Sequence, residues 1–93
     1  MTYPHGCQHA VEQAQARYGV RLDDGDFAAM VRDILAVVDG EAAPALLLAR
    51  MQRGREIWLL RIPAGPAVRV VYSPISAQIV TVLPRDYPLP RGG

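Results

Sequence analysis

The clearest structural signal in the chain is the segment FAAMVRDILAVV, residues 27–38. Its large apolar side chains recur at the i, i+3, i+4, i+7 spacing that gives an α-helix one continuous apolar face. Asp23 or Asp24 is suited to cap the start of this helix, and Gly40 to end it. The spacing therefore predicts an amphipathic helix that packs on a larger apolar surface.

A shorter helix is predicted before it, from His9 to Tyr18. Ala10, Val11 and Ala14 form a narrow apolar stripe, and Gly19 follows as a natural helix end. A stripe this small does not stabilise an isolated helix, so we expect it to lie on the same core.

After Pro44 the pattern changes to that of β-strands. Four are predicted, at Ala45–Gln52, Glu56–Ile62, Ala67–Ser73 and Gln78–Leu83. The links between them are short, and the first contains Gly54, so the strands are expected to form an antiparallel meander. The chain is thus predicted to be an α+β domain, two helices followed by a four-stranded antiparallel sheet (ααββββ). Six apolar residues are expected in its core: Phe27, Ile34, Leu35, Trp58, Val70 and Val82.

With 93 residues the chain has room for one domain, and 51% hydrophobic residues supply its core. We expect this domain to span residues 9–84. Residues 1–8 contain Pro4 and Gly6 and are expected to form an arm that does not hold His5 in a fixed geometry. The Pro- and Gly-rich residues 85–93 are expected to be a mobile tail.

Side-chain alternation sorts the predicted sheet into two faces. The helix-covered face is expected to carry Trp58, Leu60, Ile62, Val68, Val70, Tyr72, Val80 and Val82. The other face is expected to carry Arg50, Ile57, Leu59, Arg61, Arg69, Val71, Ile79 and Thr81. This second set is either an uncovered basic surface for a ligand or an ordinary solvated face whose arginine stems cover apolar neighbours.

Charge is unevenly distributed along the chain. Residues 1–42 carry three arginines against seven acidic residues, a net charge of −4, whereas residues 43–93 carry seven arginines against two acidic residues, a net charge of +5. Such asymmetry indicates a polyanionic partner, or else two halves that neutralise each other across the fold.

Several classes of function are disfavoured by the residue content. Cys7 is the single cysteine, so neither an internal disulfide nor a four-ligand zinc site is expected, and the group His5, Cys7 and His9 is too small for a confident metal site. We expect no metal and no cofactor. The chain has no apolar run of about 20 residues and no signal-peptide pattern, so a cytoplasmic protein without a membrane partner is expected.

One side of the first helix carries His9, Gln13 and Arg17, which recur every four residues. Histidine moves protons near neutral pH, and arginine binds phosphate. Together they suit cleavage of an RNA phosphodiester, although an ordinary surface helix carries such residues as well.

The order of these pieces resembles the RelE-like and barnase-like superfamily of small bacterial and phage proteins. The resemblance covers residues 9–84 and is carried by His9-Ala10, Arg17-Tyr18-Gly19, the Arg-Gly-Arg-Glu hairpin, the strand with Arg69 and the final strand Ile79-Val80-Thr81-Val82. It implies that RNA lies against the sheet and that His9, Arg17, Arg69 and Thr81 are catalytic. The chain departs from the RelE pattern in having no lysine, and from the barnase pattern in that Glu56 is its single strand glutamate.

Two functions follow as hypotheses. The first is an RNA-binding, toxin-like, metal-independent endoribonuclease or an inactive relative of one, with Arg50, Arg53, Arg55 and Arg61 as further nucleic-acid contacts. The second is a non-catalytic phage or mobile-element module that binds a protein, such as a host factor, a phage protein or an antitoxin. An open basic sheet face favours the first, and a face covered by the tail or by a second subunit favours the second. The oligomeric state is left open.

Overall fold

The computed structural model describes residues 4–62 and 65–89. Two helices, α1 (Gln8–Tyr18) and α2 (Asp24–Val38), precede four strands. The strands are β1 (Ala45–Arg50), β2 (Glu56–Arg61), β3 (Ala67–Ser73) and β4 (Gln78–Leu83), with a short 3₁₀ turn at Gln52–Gly54. They form an antiparallel sheet in the order β1-β2-β3-β4. The predicted fold class, two helices followed by this sheet, is confirmed.

Helix α2 begins at a reciprocal cap. The Asp26 backbone N–H donates to the Asp23 carboxylate at 2.9 Å, and the Asp23 N–H donates to the Asp26 carboxylate at 2.9 Å. These bonds satisfy backbone donors that an uncapped helix start leaves without a partner. At the other end, Gly40 adopts a φ of 85°, which is costly for residues with a Cβ. The two ends therefore lie where the sequence predicted them, with Asp23 rather than Asp24 as the cap.

One residue predicted for the core lies outside it. Phe27 and Ile34 are fully buried, whereas the side chain of Leu35 is 47% exposed. Consecutive helix positions differ by about 100° around the axis, so Leu35 lies at the margin of the stripe that Ile34 centres on the sheet. The sheet covers a narrower part of α2 than the apolar pattern suggested, and the prediction for Leu35 was wrong.

The helices cover one face of the sheet. Helix α1 lies against β4 and buries Ala10 and Ala14, while α2 contacts β1 and β4. We call the apolar cluster between helices and sheet the helix-side core. Its buried sheet residues are Trp58, Leu60, Ile62, Val68, Val70, Tyr72, Ile79 and Val82.

A β-bulge in β4 changes which side chains reach each face. Val71 pairs with Thr81 and Tyr72 with Ile79, so Val80 is an extra residue opposite the β3 ladder. Ile79 consequently lies in the helix-side core with no exposed surface, and Val80 packs on the opposite face. Strict alternation had placed these two residues the other way round, and that assignment was wrong.

A similar bulge at Leu48 interrupts β1, so that Arg50 pairs with Glu56, which in turn pairs with Tyr72 of the helix-side core. Arg50 therefore lies on the helix side of the sheet, and its predicted place on the other face was wrong.

The N-terminal segment 4–7 is bound to the outer edge of β4. The Ile79 N–H donates to the His5 carbonyl at 2.8 Å, the Gln78 side-chain amide donates to the Pro4 carbonyl at 3.2 Å, and the Cys7 thiol donates to the Val80 carbonyl at 3.1 Å. An edge strand presents unpaired backbone groups, and this segment supplies partners for them. The expectation that the arm would not hold His5 in a fixed geometry was therefore wrong, while residues 1–3 of the arm and 90–93 of the tail lie outside the described residues.

We expect Ile34→Ala to lower the free energy of unfolding by about 2–4 kcal/mol, because it leaves a cavity in the helix-side core. Leu35→Ala is the matched control, since it removes a side chain of the same size from the same helix. It should cost less than about 1 kcal/mol because half of that side chain already contacts water. Chemical denaturation of both variants measures the difference, and equal losses would contradict the observed orientation of α2.

Candidate nucleic-acid interface

The candidate interface is the second face of the sheet, which is the surface opposite the helices. Its centre is apolar, since Ile57, Val71 and Leu83 are buried there and form a small cluster of their own. Arg69 lies on β3 between Leu59 of β2 and Leu83 of β4 in the strand register. Thr81 lies opposite Val71 and is partly buried. The strands therefore bring two of the four predicted catalytic residues, Arg69 and Thr81, to this face.

The C-terminal segment Pro84–Leu89, which we call the strap, covers part of the second face. Tyr87 packs against the cluster of Ile57, Val71 and Leu83. The Arg69 guanidinium donates from Nη1 to the Tyr87 carbonyl at 2.8 Å. The Tyr87 N–H donates to the Pro84 carbonyl at 3.1 Å and closes a turn directly after β4. Instead of being free from residue 85 onward, the chain makes specific contacts as far as Tyr87, and the second face is covered around Arg69.

Tyr18 fastens the end of α1 to the sheet beside Arg69. Its hydroxyl donates to the Leu83 carbonyl at 2.7 Å and accepts from the Arg69 backbone N–H at 3.3 Å, so it bridges the two strands. The Arg85 guanidinium lies over the Tyr18 ring, 5.2 Å from its centre, where the ring face attracts a cation. Sequence reasoning missed Tyr18, because a tyrosine in the last turn of a helix carries no pattern that announces a distant partner.

The two predicted catalytic residues of α1 do not join this group. His9 is exposed in the first turn, and Arg17 is exposed in the last turn, where its Nε donates to the Gln13 side chain. Eight helical residues separate His9 from Arg17 by about 12 Å along the axis. Among residues 4–62 and 65–89, no hydrogen bond or ion pair connects any two of the four predicted catalytic side chains, and Arg17 is held by its own helix.

The four arginines predicted as further nucleic-acid contacts lie at two opposite ends of the β1–β2 pair. Arg53 and Arg55 are exposed on the β1–β2 hairpin, where Arg53 itself has a positive φ of 64°. Arg50 lies 3.9 Å from the Glu56 carboxylate, which also accepts from the Trp58 indole N–H at 3.0 Å.

Arg61 lies at the opposite end of β2, in an open groove of about 370 Å³. The groove is lined by Ala43, Pro44, Ala45, Leu46, Leu59, Arg61 and Ala67. The four predicted nucleic-acid contacts are therefore exposed, but Arg61 is separated from the other three by the length of a strand.

The histidine that the structure orients is His5. Its backbone N–H donates to Asp24 Oδ1 at 3.0 Å, and its ring Nδ1 lies 3.1 Å from Asp24 Oδ2. The backbone N–H of His5, more than its imidazole, lowers the pKa of the Asp24 carboxyl from its ordinary value of 3.8, although partial burial opposes the effect. Sequence reasoning missed this pair because the partners are nineteen residues apart and one of them lies in a segment expected to be loose.

The three side chains considered for a metal do not converge. His5 contacts Asp24, Cys7 contacts the Val80 carbonyl, and His9 is exposed. Within the described ranges no three His, Cys, Asp or Glu side chains are grouped as metal ligands. No helix in the same part of the chain is long and apolar enough to cross a membrane.

Comparison of the chain with protein-family models, with curated proteins and with solved structures finds no match.

The His5–Asp24 pair predicts a dependence of stability on pH. Because the folded pKa of Asp24 is lowered, its carboxylate contributes stability that is fully present above the ordinary pKa of 3.8 and is lost as the pH falls through the lower folded pKa. We expect Asp24→Asn to be less stable than the unaltered protein at neutral pH, and the difference to shrink in acid. Denaturant midpoints measured across the acid range test this.

Glu41→Gln is the control for that experiment. Glu41 is an exposed loop carboxylate, and its side chain has no hydrogen bond or ion pair with the described residues. Its replacement should leave the stability difference nearly independent of pH. An Asp24→Asn difference that stays constant from neutral pH into acid would contradict the assigned pair.

Proposed function

We propose that the protein binds RNA through the arginines of its sheet half, as a toxin-like, metal-independent endoribonuclease or an inactive relative of one. The observation that carries this proposal is the exposure of Arg53 and Arg55 on a hairpin, where neither has a carboxylate partner among the described residues. Guanidinium groups bind phosphate oxygens through paired N–H donors. The charge of +5 over residues 43–93 gives such contacts a favourable long-range field.

The resemblance of residues 9–84 to RelE-like and barnase-like proteins supports the same proposal. Ribonucleases of that superfamily hold RNA against the sheet. In this chain the corresponding face carries Arg69 and Thr81, next to the exposed side chain of Leu46 and the partly buried side chain of Leu59.

Binding without cleavage is the version that the contacts favour. General acid–base catalysis needs its proton donor within hydrogen-bond reach of the reacting group, directly or through one water. The His9 side chain makes no hydrogen bond with the described residues, Arg17 is held by Gln13, and Nη1 of Arg69 is bound to the Tyr87 carbonyl. These positions support an RNA-binding relative more than an assembled active site.

A protein-binding module is the second candidate, and two observations favour it. The strap covers the second face, which is the arrangement expected of a module that does not present this face to RNA. In addition, the outer edge of β4 is covered by residues 4–7, whereas β1 forms the other edge of the sheet and carries Leu46 with 57% of its side chain exposed. An edge strand of this kind can pair with a strand of another protein.

We expect the protein to bind single-stranded RNA with an affinity that falls steeply with salt, because phosphate contacts release counterions. The double variant Arg53→Ala/Arg55→Ala should make the log–log salt slope shallower by about 0.7 for each lost contact. Fluorescence anisotropy titrations at several salt concentrations measure the slope. Arg21→Ala is the control, because it removes an arginine from an exposed loop in the acidic half, and it should leave the slope unchanged. No binding at low salt would favour the protein-binding module.

RNA cleavage is tested separately from RNA binding. We expect purified protein to leave structured, unstructured and ribosome-bound RNA intact. The contrary result would be cleavage that leaves cyclic phosphate ends and falls by at least about a hundredfold in His9→Ala, the loss typical of a removed acid–base group. His5→Ala is the control, because it alters the histidine bonded to Asp24 and leaves α1 unchanged. That result would establish an active ribonuclease.

A further inference from the structure

The strap brings an uncharged hydrogen-bond acceptor, the Tyr87 carbonyl, to the guanidinium of Arg69. This guanidinium is the one that a phosphate on the covered part of the second face would meet. Arg69 donates to the Tyr87 carbonyl at 2.8 Å, while its neighbours in the strand register, Leu59 and Leu83, are apolar. A carbonyl oxygen and a phosphate oxygen both accept N–H donors, and the bond to the charged oxygen is the stronger of the two. The Tyr87 carbonyl therefore occupies a position that a phosphate would take in the absence of the strap.

The attachment of the strap is local and partial. Tyr87 is partly buried against the second-face cluster, and Arg85 lies over the Tyr18 ring. Asp86, Pro88 and Leu89 are exposed. The strap follows β4 directly through the turn closed by Tyr87 and Pro84, so a change of backbone angles in that turn lifts it without disturbing the sheet.

Net charge does not set the strap against a polyanion, because Arg85 and Asp86 are both exposed and leave residues 84–89 without net charge. The conflict lies in packing and hydrogen bonding: Tyr87 covers part of the second face, and its carbonyl accepts from Arg69. With the strap closed, less of the Arg69 guanidinium is available to RNA than its sequence composition suggests.

We propose that the strap, residues 84–89, is an intramolecular cover of the RNA-binding face, and that it must leave Arg69 before a phosphate of single-stranded RNA binds there. This inference rests on the proposed RNA-binding function and adds its regulation. Binding and closure compete for the Arg69 guanidinium, so the apparent affinity equals the intrinsic affinity multiplied by the fraction of molecules with an open strap. A change that weakens closure and keeps Arg69 therefore strengthens binding.

The decisive variant is Tyr87→Ala, which removes the ring that packs on Ile57, Val71 and Leu83. Loss of a buried aromatic contact is expected to raise the open fraction, and with it the affinity for RNA, by about tenfold or more. The probe is a fluorescein-labelled single-stranded RNA of about 16 nucleotides, long enough to span one small domain. Leu89→Ala is the matched control, because it shortens an exposed side chain of the same segment.

A double variant shows whether a gain in RNA affinity comes from the release of Arg69 by the strap or from a general change in charge or shape. In Tyr87→Ala/Arg69→Ala the gain should vanish, because the donor that the strap releases is missing. Unchanged or weaker binding by Tyr87→Ala overturns the inference while the proposed RNA binding stands. If neither the unaltered protein nor Tyr87→Ala binds RNA at low salt, the proposed function falls, and the inference falls with it.

The unaltered protein offers a test that does not depend on the variants folding. The Tyr87 amide donates to the Pro84 carbonyl, so its hydrogen exchange reports the strap. Added RNA should accelerate exchange at Tyr87 while the amide of Val70, in the central strand β3, stays protected. RNA that binds without changing exchange at Tyr87 would show that the strap stays closed and would overturn the inference.

Discussion

The apolar stripe of α2 has to pack on another apolar surface, and in this chain the sheet provides that surface for all of the stripe except its margin at Leu35 and Val38. Phe27 and Ile34 are fully buried against strands that contribute Trp58 and Val70. A chain of this size buries only about 60–65% of the surface that it exposes when unfolded, so the packing of α2 on the sheet must supply much of the stability. The first helix adds its small Ala10–Ala14 stripe to an interface that α2 already defines.

The helices cover one face of the sheet, so apolar side chains on the other face need a different cover. Here β2 and β3 also carry apolar residues on the second face, and Ile57 has no exposed surface although no helix covers it. Tyr87 of the strap packs on this cluster together with Leu48, Ala49, Met51 and Val80, and Arg69 donates to the Tyr87 carbonyl. Apolar packing therefore favours a closed strap, whereas the RNA binding that we propose at Arg69 requires an open one. On that proposal, this part of the second face changes between two arrangements.

The sequence predicted those features that depend on local chemistry. The α2 pattern, the Asp23 cap, Gly19 and Gly40 at the helix ends, and the bounds of β3 and β4 all follow from residues within a turn or a strand of one another. Strands β1 and β2 end earlier than predicted, at Arg50 and Arg61, because the chain forms a 3₁₀ turn after Met51 and leaves the ladder after Arg61. Side-chain alternation failed at Ile79 and Val80, because an inserted residue breaks the alternation between the side chains before the bulge and those after it.

The candidate site was harder to predict than the fold because its contacts join distant parts of the chain. His5 is fixed by Asp24 and by the edge of β4, Arg69 by Tyr87, and the β3–β4 pair by Tyr18, over separations of 18 to 74 residues. Proline and glycine around His5 and Tyr87 indicated loose segments, yet backbone groups at an edge strand and a buried apolar cluster require partners. The described parts of these segments, residues 4–7 and 84–89, lie where the sheet has an unsatisfied edge or face. Whether such a segment is ordered depends more on the unpaired backbone groups and the apolar surface that the sheet presents than on the stiffness of the segment itself.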